Sequence, residues 1–189
     1  MRDAVLLVDV LNDFRHADGE RLLASFRQRG ERLEAFVAAA RRAGTAIVYA
    51  NDNFGTWDGD GRALVERALD GPGGRVIERF APKRGDALVL KPRYSAFDHT
   101  PLELVLGDLG AERLLMAGAA TEMCVAQTAI DGREIGFKIS VVEDACASVD
   151  PEMERVALDY LERVVGVWRV RSSEIATELG RGAAASAPP

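Results

Sequence analysis

Residues 114–125 read LLMAGAATEMCV, which combines an apolar run, a turn of small residues and a segment that carries a cysteine. The apolar run is typical of a strand that is buried on both faces of a parallel sheet. Thr121 is suited to cap the helix that follows, which would place Cys124 in the first helical turn. There the unpaired N–H groups and the helix dipole favour a thiolate and can bind an oxyanion. The alternative role for a single cysteine at such a position is that of a small buried hydrophobic residue.

The composition indicates one globular domain. The chain has 189 residues, of which 48% are hydrophobic, so it can bury a sizeable core. A net charge of −6 and the lack of a basic run argue against a nucleic-acid partner. No apolar run approaches the roughly 18 residues that a membrane span needs. We expect a single domain over residues 1–180 and a flexible tail over residues 181–189.

The cysteine and histidine content bears on location and on metal binding. Two cysteines do not make a disulfide scaffold, and residues 1–4 lead into an apolar run rather than a secretory leader. Both observations predict a cytoplasmic protein. The chain has only two histidines, His16 and His99, which argues against a histidine-rich metal site. We therefore expect no metal and no other cofactor.

Six apolar runs alternate with helical patterns along the chain. The predicted strands are residues 4–8, 45–50, 87–90, 114–117, 138–142 and 166–170. The predicted helices cover residues 31–42, 60–69, 100–107, 125–136 and 150–164, with a short one from residue 173. We interpret residues 15–30 as a loop or short helix and residues 75–86 as a solvated connection. The alternation predicts one three-layer, doubly wound α/β domain whose right-handed crossovers bring every strand exit to one edge of a parallel sheet.

Three of the strand exits carry groups that are suited to catalysis. Asp9 follows the first strand, Cys124 follows the fourth, and Lys91 follows the third, where Pro92 keeps it extended. Taken alone, Asp9 could equally be a helix cap or a salt-bridge partner, and a lysine at a strand end is usually solvated. Open α/β sheets bind ligands at this edge. The position of all three residues at the same edge therefore indicates a common site.

The loops at the same edge, residues 12–18, 51–58 and 93–99, are expected to form the substrate pocket. Asp52 is a possible metal ligand, but its asparagine neighbours and the lack of a nearby histidine favour a pocket wall instead. The aromatic side chains favour an apolar or planar substrate, and Arg93 could hold a carboxylate. The predicted pocket residues are Phe14, Asn53, Phe54, Trp57, Arg93, Tyr94, Phe97 and Thr121.

The segments VDVLNDF around Asp9, LKPRYSAF around Lys91 and GAATEMCV around Cys124 follow one another along nearly the whole chain. In this combination the chain resembles the isochorismatase-like cysteine hydrolases, the superfamily that includes nicotinamidases and N-carbamoylsarcosine amidohydrolase. The resemblance implies a parallel sheet of order 3-2-1-4-5-6. It implies a homodimer or larger assembly and a catalytic triad of Asp9, Lys91 and Cys124. It also implies a cis peptide bond between Ala119 and Ala120.

Two departures from the family pattern bear on the activity. Leu11 stands where the family commonly has glutamine, which alters hydrogen bonding near the site. Asn51-Asp52-Asn53 stands where nicotinamidases carry an aspartate and histidines, so a metal-dependent nicotinamidase is disfavoured. Isochorismatases proper lack a nucleophilic cysteine at this position, and Cys124 therefore argues against cleavage of a vinyl ether.

The mechanism implied by the resemblance is thioester formation on a small-molecule substrate. Asp9 removes the thiol proton, and the sulfur attacks an amide or carbamoyl carbonyl. The backbone N–H groups of Ala120 and Cys124 bind the oxyanion. Two alternatives stay open. The same site could serve another acyl or ether hydrolase or a redox thiol that pairs with Cys146, or the chain could be a binding protein without activity.

Overall fold

The computed structural model describes the backbone of residues 1–57 and 59–186, with side chains through Gly182. The strands are β1 (Asp3–Val8), β2 (Ala46–Asp52), β3 (Ala87–Lys91), β4 (Arg113–Ala119), β5 (Lys138–Ala147) and β6 (Trp168–Val170). They form one parallel sheet of order β3-β2-β1-β4-β5-β6. This result confirms the predicted fold class and strand order.

Helices cover the sheet and bury its central strands. They are α1 (Gly19–Arg42), α2 (Gly61–Leu69), α3 (Gly74–Ile77), α4 (Leu102–Asp108), α5 (Ala126–Glu134), α6 (Pro151–Tyr160) and α7 (Ser172–Ser186). Every side chain from Ala4 to Val8 in β1 is 0% exposed, which requires cover on both faces of the sheet. Within the described residues, no helix is long and apolar enough to cross a membrane.

Helix α1 is the largest difference from the predicted elements. We expected a loop or short helix over residues 15–30, but α1 begins at Gly19 and includes the rest of that segment. The expectation was wrong because Leu22, Phe26 and Leu33 continue the helical spacing and are all buried. The polar residues between them form the solvent-facing side of the helix. The spacing of the apolar residues therefore decides the structure here, and the overall polarity of the segment does not.

The predicted solvated connection over residues 75–86 is also wrong in part. Helix α3 and the 3-10 turn after it bury Ile77 and Phe80. The Phe80 ring stacks on Phe26 of α1, with 6.1 Å between ring centres. The Tyr49 hydroxyl donates a hydrogen bond to Phe80 O at 2.6 Å. This segment therefore closes the core between α1 and the sheet.

Helix α7 extends beyond the predicted domain boundary. We expected a flexible tail over residues 181–189, but the helix continues to Ser186, and residues 187–189 lie outside the described part of the chain. Ile175 and Leu179 are buried and attach the helix to the core. The alanines at 183–185 are strong helix formers, which favours continuation of the helix to Ser186.

Candidate active site

The carboxyl ends of the central strands lie level with one another. Val8 pairs with Ala50 of β2 and with Gly118 of β4. At the next strand along, Asp52 at the end of β2 pairs with Lys91 at the end of β3. The side chains that follow these strands can therefore meet at one edge of the sheet.

Asp9 is held by the backbone of β2. Its φ of +49° lies in the left-handed region, which aspartate tolerates better than most residues, and turns the chain out of β1. The Asp9 N–H donates to Ala50 O at 2.9 Å, and its Oδ1 accepts from the Asp52 N–H at 2.7 Å. One carboxylate oxygen is thus fixed by β2, and the other is directed towards Lys91.

Lys91 is fully buried, and its ammonium group contacts both of the other predicted catalytic side chains. Its Nζ lies 2.8 Å from Asp9 Oδ2 and 3.5 Å from Cys124 Sγ. It also donates to Arg93 O at 2.9 Å. A buried ammonium group needs such partners, because burial otherwise disfavours its charged form. The structure therefore brings together the sulfur, the carboxylate and the ammonium group that the sequence predicted at separate strand exits.

Cys124 lies in a wide helical turn, Thr121–Val125, between β4 and α5. The Val125 N–H donates to Ala120 O, five residues back, at 3.2 Å, which is the hydrogen bond of a π-helical turn. Turns of this kind are frequent at functional sites. The Ala119–Ala120 peptide bond just before the turn is cis. Cys124 is half-buried.

Gly118 allows β4 to approach β1 closely just before this turn. Its φ is +131°, and a Cβ atom at this position would lie 2.0 Å from Val8 O. Any other residue would push the two strands apart. The position of the turn relative to Asp9 therefore depends on this glycine.

Burial and charge decide where the protons of this cluster reside. Burial and the negative charge of Asp9 raise the pKa of the Cys124 thiol to about 12, against the opposing effect of Lys91. Burial also raises the pKa of Asp9, although the Lys91 charge opposes it. Burial alone would lower the pKa of Lys91, but this pKa is raised, chiefly by the charge of Asp9. Burial and the charge of Asp9 thus favour the protonated thiol over the thiolate that was expected at a helix start.

Asn51 anchors the chain that follows Asp9. It is 1% exposed, accepts a hydrogen bond from the Leu11 N–H at 2.9 Å and donates one to Leu11 O at 3.0 Å. Asn51→Ala leaves both buried backbone groups without their partner, and each such group costs about 1–3 kcal/mol. We expect this variant to lower the free energy of unfolding by about 2–4 kcal/mol in urea denaturation. A change below about 0.5 kcal/mol would contradict the anchoring role.

Two of the predicted pocket residues line a cavity beside the cluster. The cavity has a volume of about 550 Å³ and is lined by Asp52, Pro92, Arg93, Tyr94, Ser95, Asp98, Gln127 and Asp131. Asn53 and Phe54 line a separate cavity of about 170 Å³, in which the Arg67 guanidinium lies 4.7 Å from the centre of the Phe54 ring. The loop after β2 therefore contributes to two different surfaces. Gln127 and Asp131 were not predicted, although their spacing of four residues places them on one face of α5.

Three other predicted aromatic pocket residues line neither of these two cavities. Phe14 is 5% exposed and packs edge-on against Phe26, with 5.7 Å between ring centres. Phe97 stacks on Phe137 at 5.9 Å. Trp57 is 80% exposed. The first two side chains fill space beneath the loops, because an aromatic ring buries more apolar surface there than in a polar cavity.

Thr121 is neither the predicted helix cap nor a pocket residue. It is fully buried, and the cap position is occupied by Ala120, which has no side-chain hydrogen bond to offer. The Thr121 hydroxyl instead contacts Ala147 O at 3.2 Å and Glu154 Oε1 at 2.8 Å. Sequence reasoning missed Glu154 in this role. A signal was present, since Glu154 shares helical spacing with Leu158, which is also buried.

Asp52 does not belong to a metal-binding cluster of the described side chains. Over residues 1–57 and 59–186, no group of three or more His, Cys, Asp or Glu side chains is arranged to hold a metal ion. Asp52, the candidate ligand, instead accepts a hydrogen bond from the Phe54 N–H at 2.6 Å. Its carboxylate therefore shapes the loop after β2.

A family model described as the isochorismatase domain matches residues 3–172. The chain belongs to the isochorismatase family. Among curated relatives, the ureidoacrylate amidohydrolase of Enterobacter sp. (strain 638) is 29% identical over 191 aligned positions, which cover 86% of this chain and 83% of that protein. The family match confirms the superfamily predicted from the segments around Asp9, Lys91 and Cys124.

Solved structures of family members share the fold over nearly their full length. The crystal structure of a nicotinamidase from Bacillus subtilis superposes with a TM-score of 0.71 at 27% identity, covering 90% of this chain and 100% of that one. The N-carbamoylsarcosine amidase from Thermoplasma acidophilum gives a TM-score of 0.69 at 29% identity, covering 91% and 97%. The chain is therefore similar to these two proteins throughout the sheet and its helices.

Proposed function

We propose that the protein is a cysteine hydrolase that cleaves an amide or carbamoyl C–N bond of a small molecule. The observation that carries the proposal is the contact of Lys91 Nζ with both Cys124 Sγ, at 3.5 Å, and Asp9 Oδ2, at 2.8 Å, while the Asp9 carboxylate is also within hydrogen-bonding reach of the thiol. A nucleophile, a base within reach and a group that orients both make the arrangement of covalent catalysis. The similar proteins named above are an amidohydrolase, a nicotinamidase and an amidase, which supports this reaction class.

In the first step the sulfur attacks while its proton leaves. Because burial and the charge of Asp9 hold the pKa of the Cys124 thiol at about 12, the sulfur keeps its proton until the substrate arrives. Asp9 takes that proton as the sulfur bonds to the carbonyl carbon, and the C=O electron pair moves onto oxygen. Lys91 stays protonated and stabilises the negative charge that passes from Asp9 to the sulfur.

The developing oxyanion is bound by backbone N–H groups at the start of the wide turn. In this proposal the donors are the N–H groups of Ala120 and Cys124, as the family resemblance implies. The first N–H groups of a helix have no partner within the helix, which makes them available to an anion. Removing one oxyanion donor typically costs about 10²–10³ in rate, so the geometry of this turn contributes to catalysis in addition to the nucleophile.

The reaction is completed by hydrolysis of a thioester. Asp9 returns its proton to the leaving nitrogen as the C–N bond breaks, which releases an amine or ammonia and leaves the acyl group on Cys124. Asp9 then removes a proton from water, and the resulting hydroxide attacks the thioester carbonyl. The C–S bond breaks, which releases the carboxylic acid product, and the sulfur regains the proton that Asp9 took from water.

The substrate pocket in this proposal is the cavity that Arg93 and Tyr94 help to line. Its other side chains are mostly polar, so we now favour a hydrogen-bonding amide or ureide over the mainly apolar substrate expected from the sequence. Tyr94 is 63% exposed and offers a face for a planar group. Arg93 remains the candidate for holding a carboxylate of the substrate.

A panel of small amides and ureides tests the proposed function. It includes nicotinamide, ureidoacrylate and N-carbamoylsarcosine, and released ammonia is measured for each. We expect ammonia release from at least one member and covalent labelling of Cys124 by an electrophilic amide. Absence of both would contradict the proposal.

The pH dependence of kcat/KM should reveal the buried carboxylate. Asp9 must be deprotonated to accept the thiol proton, so kcat/KM falls as the pH decreases through the pKa of Asp9. Because burial raises this pKa above 3.8, the midpoint of the fall in kcat/KM should lie at a higher pH than an exposed aspartate would give. Lys91→Met removes the charge that opposes the rise. In this variant we expect the midpoint of the fall in kcat/KM to move to a still higher pH and the maximal rate to fall about 10–100-fold.

Lys138 offers a matched control for the lysine variant. It lies at the start of β5 and is exposed, so Lys138→Met should leave both the midpoint of the pH profile and the maximal rate unchanged. A Lys91→Met profile that coincides with the wild-type profile would contradict the proposed coupling between Lys91 and Asp9.

The predicted homodimer or larger assembly and the cytoplasmic location stay predictions.

A further inference from the structure

Thr121, the first residue of the wide turn, is tied to neighbouring elements rather than to its own helix. Its Oγ1 lies 2.8 Å from Glu154 Oε1 of α6 and 3.2 Å from Ala147 O at the end of β5. A hydroxyl has one proton to donate, and a carboxylate is a stronger acceptor than a carbonyl. We therefore assign the donated hydrogen bond to Glu154. The turn that carries the nucleophile is thereby attached to α6.

Glu154 is in turn held by Arg29 of α1. Glu154 is 6% exposed, and both of its carboxylate oxygens contact the guanidinium, with 2.7 Å between Arg29 Nη2 and Glu154 Oε2. Arg29 Nη1 also donates to Cys146 O at 2.6 Å. A bidentate pair fixes the orientation of both side chains. The carboxylate that receives the Thr121 hydrogen bond is therefore placed by α1 and β5.

This network attaches to the last residues of the sheet before the wide turn. Cys146 and Ala147 of β5 pair with Gly118 and Ala119 of β4. Arg29 thus holds the strand pair from which the turn emerges. Cys124 lies within one helical turn of this strand pair, so a displacement of the pair would also move the sulfur.

We propose that Glu154 is a positioning residue that acts through Thr121 to hold the wide turn carrying Cys124. The inference rests on the proposed function of that cysteine as a nucleophile. Its sulfur lies 3.5 Å from Lys91 Nζ, and a misplacement of about 1 Å can cost about 10²-fold in rate. Loosening the turn should therefore lower kcat. It should change KM little, because the cavity beside the cluster is lined by other elements.

Two substitutions of Thr121 provide the first test. Thr121→Val removes the hydroxyl, keeps the shape of the side chain and leaves the pair of Glu154 with Arg29 intact. Thr121→Ser keeps the hydroxyl and serves as the conservative rescue. With the panel amide that is hydrolysed fastest, we expect Thr121→Val to lower kcat about ten-fold or more with KM within about three-fold. Thr121→Ser should stay close to wild type.

Alkylation of Cys124 by iodoacetamide tests the same idea without a substrate. Burial and Asp9 hold the pKa of Cys124 high in the intact site. If Thr121→Val releases the turn, the pH midpoint of alkylation should fall towards that of an ordinary thiol. Peptide mass spectrometry separates this reaction from any at Cys146, which is 0% exposed. The readout is valid even if every panel amide proves inert, so failure of the proposed function can be told apart from failure of this inference.

A second buried ion pair controls for a general loss of stability. Asp86, just before β3, forms a bidentate pair with Arg41, and its side chain is 8% exposed, as is that of Glu154. Glu154→Gln and Asp86→Asn should lower the thermal midpoint comparably. Only Glu154→Gln should also lower kcat and shift the alkylation midpoint. The inference is overturned if Glu154→Gln and Thr121→Val keep wild-type kcat and alkylation profiles, or if Asp86→Asn matches Glu154→Gln in both.

Discussion

Replacement of Cys124 by alanine is expected to abolish turnover of every amide that the wild-type protein hydrolyses. In the proposed reaction the acyl group is transferred to its sulfur, and no later step can occur without that thioester. Loss of a catalytic nucleophile lowers kcat on the order of 10⁴–10⁶-fold. Ammonia release at saturating substrate measures the effect. Retention of wild-type activity would remove the basis of the proposed function.

Cys146 provides the matched control for this substitution. It is a free cysteine like Cys124, but it is 0% exposed and lies at the end of β5. Cys146→Ala should lower the thermal midpoint because it leaves a small gap in the core. Since the Cys146 carbonyl that Arg29 contacts is retained, kcat should fall far less than in Cys124→Ala. Iodoacetamide should still label this variant at Cys124. It should not label Cys124→Ala at position 124.

Asp9→Asn is expected to change turnover and thiol reactivity in opposite directions. An amide cannot accept the thiol proton or return it to the leaving nitrogen, so kcat should fall about 10²–10⁴-fold. The charge of Asp9 is also one of the causes that raise the pKa of Cys124, whereas Lys91 lowers it. Without the carboxylate this pKa should fall, and more thiolate is present at neutral pH. Alkylation by iodoacetamide should then become faster while hydrolysis is lost.

Asp13 offers a control for the loss of a buried carboxylate near the same strand. Its side chain is 3% exposed and pairs with Arg67 rather than with Lys91. Asp13→Asn should leave the pH midpoint of Cys124 alkylation unchanged, even if it loosens the loop. Slower alkylation in Asp9→Asn, together with slower hydrolysis, would show that the carboxylate does not raise the pKa of the thiol.

Local patterns in the sequence were sufficient to predict a doubly wound parallel sheet and the residues at one of its edges, whereas the strand order was implied by the family resemblance. The run from Ala4 to Val8 is apolar throughout, and a strand with that composition is stable only when both faces are covered. Alternation with helices and the right-handedness of crossovers then place Asp9, Lys91 and Cys124 at one edge. These properties depend on composition and spacing over a few residues, which explains why they could be read without coordinates.

Tertiary contacts decided the remaining features, because these involve residues that are distant along the chain. The pair of Arg29 with Glu154 joins positions 125 residues apart, and it determines where the Thr121 hydroxyl is directed. The pKa of Cys124 depends on burial and on the carboxylate of Asp9, which outweigh the effect expected from its position at a helix start. Desolvation and opposing charges exist only once the chain has folded, so no local pattern predicts which of them dominates.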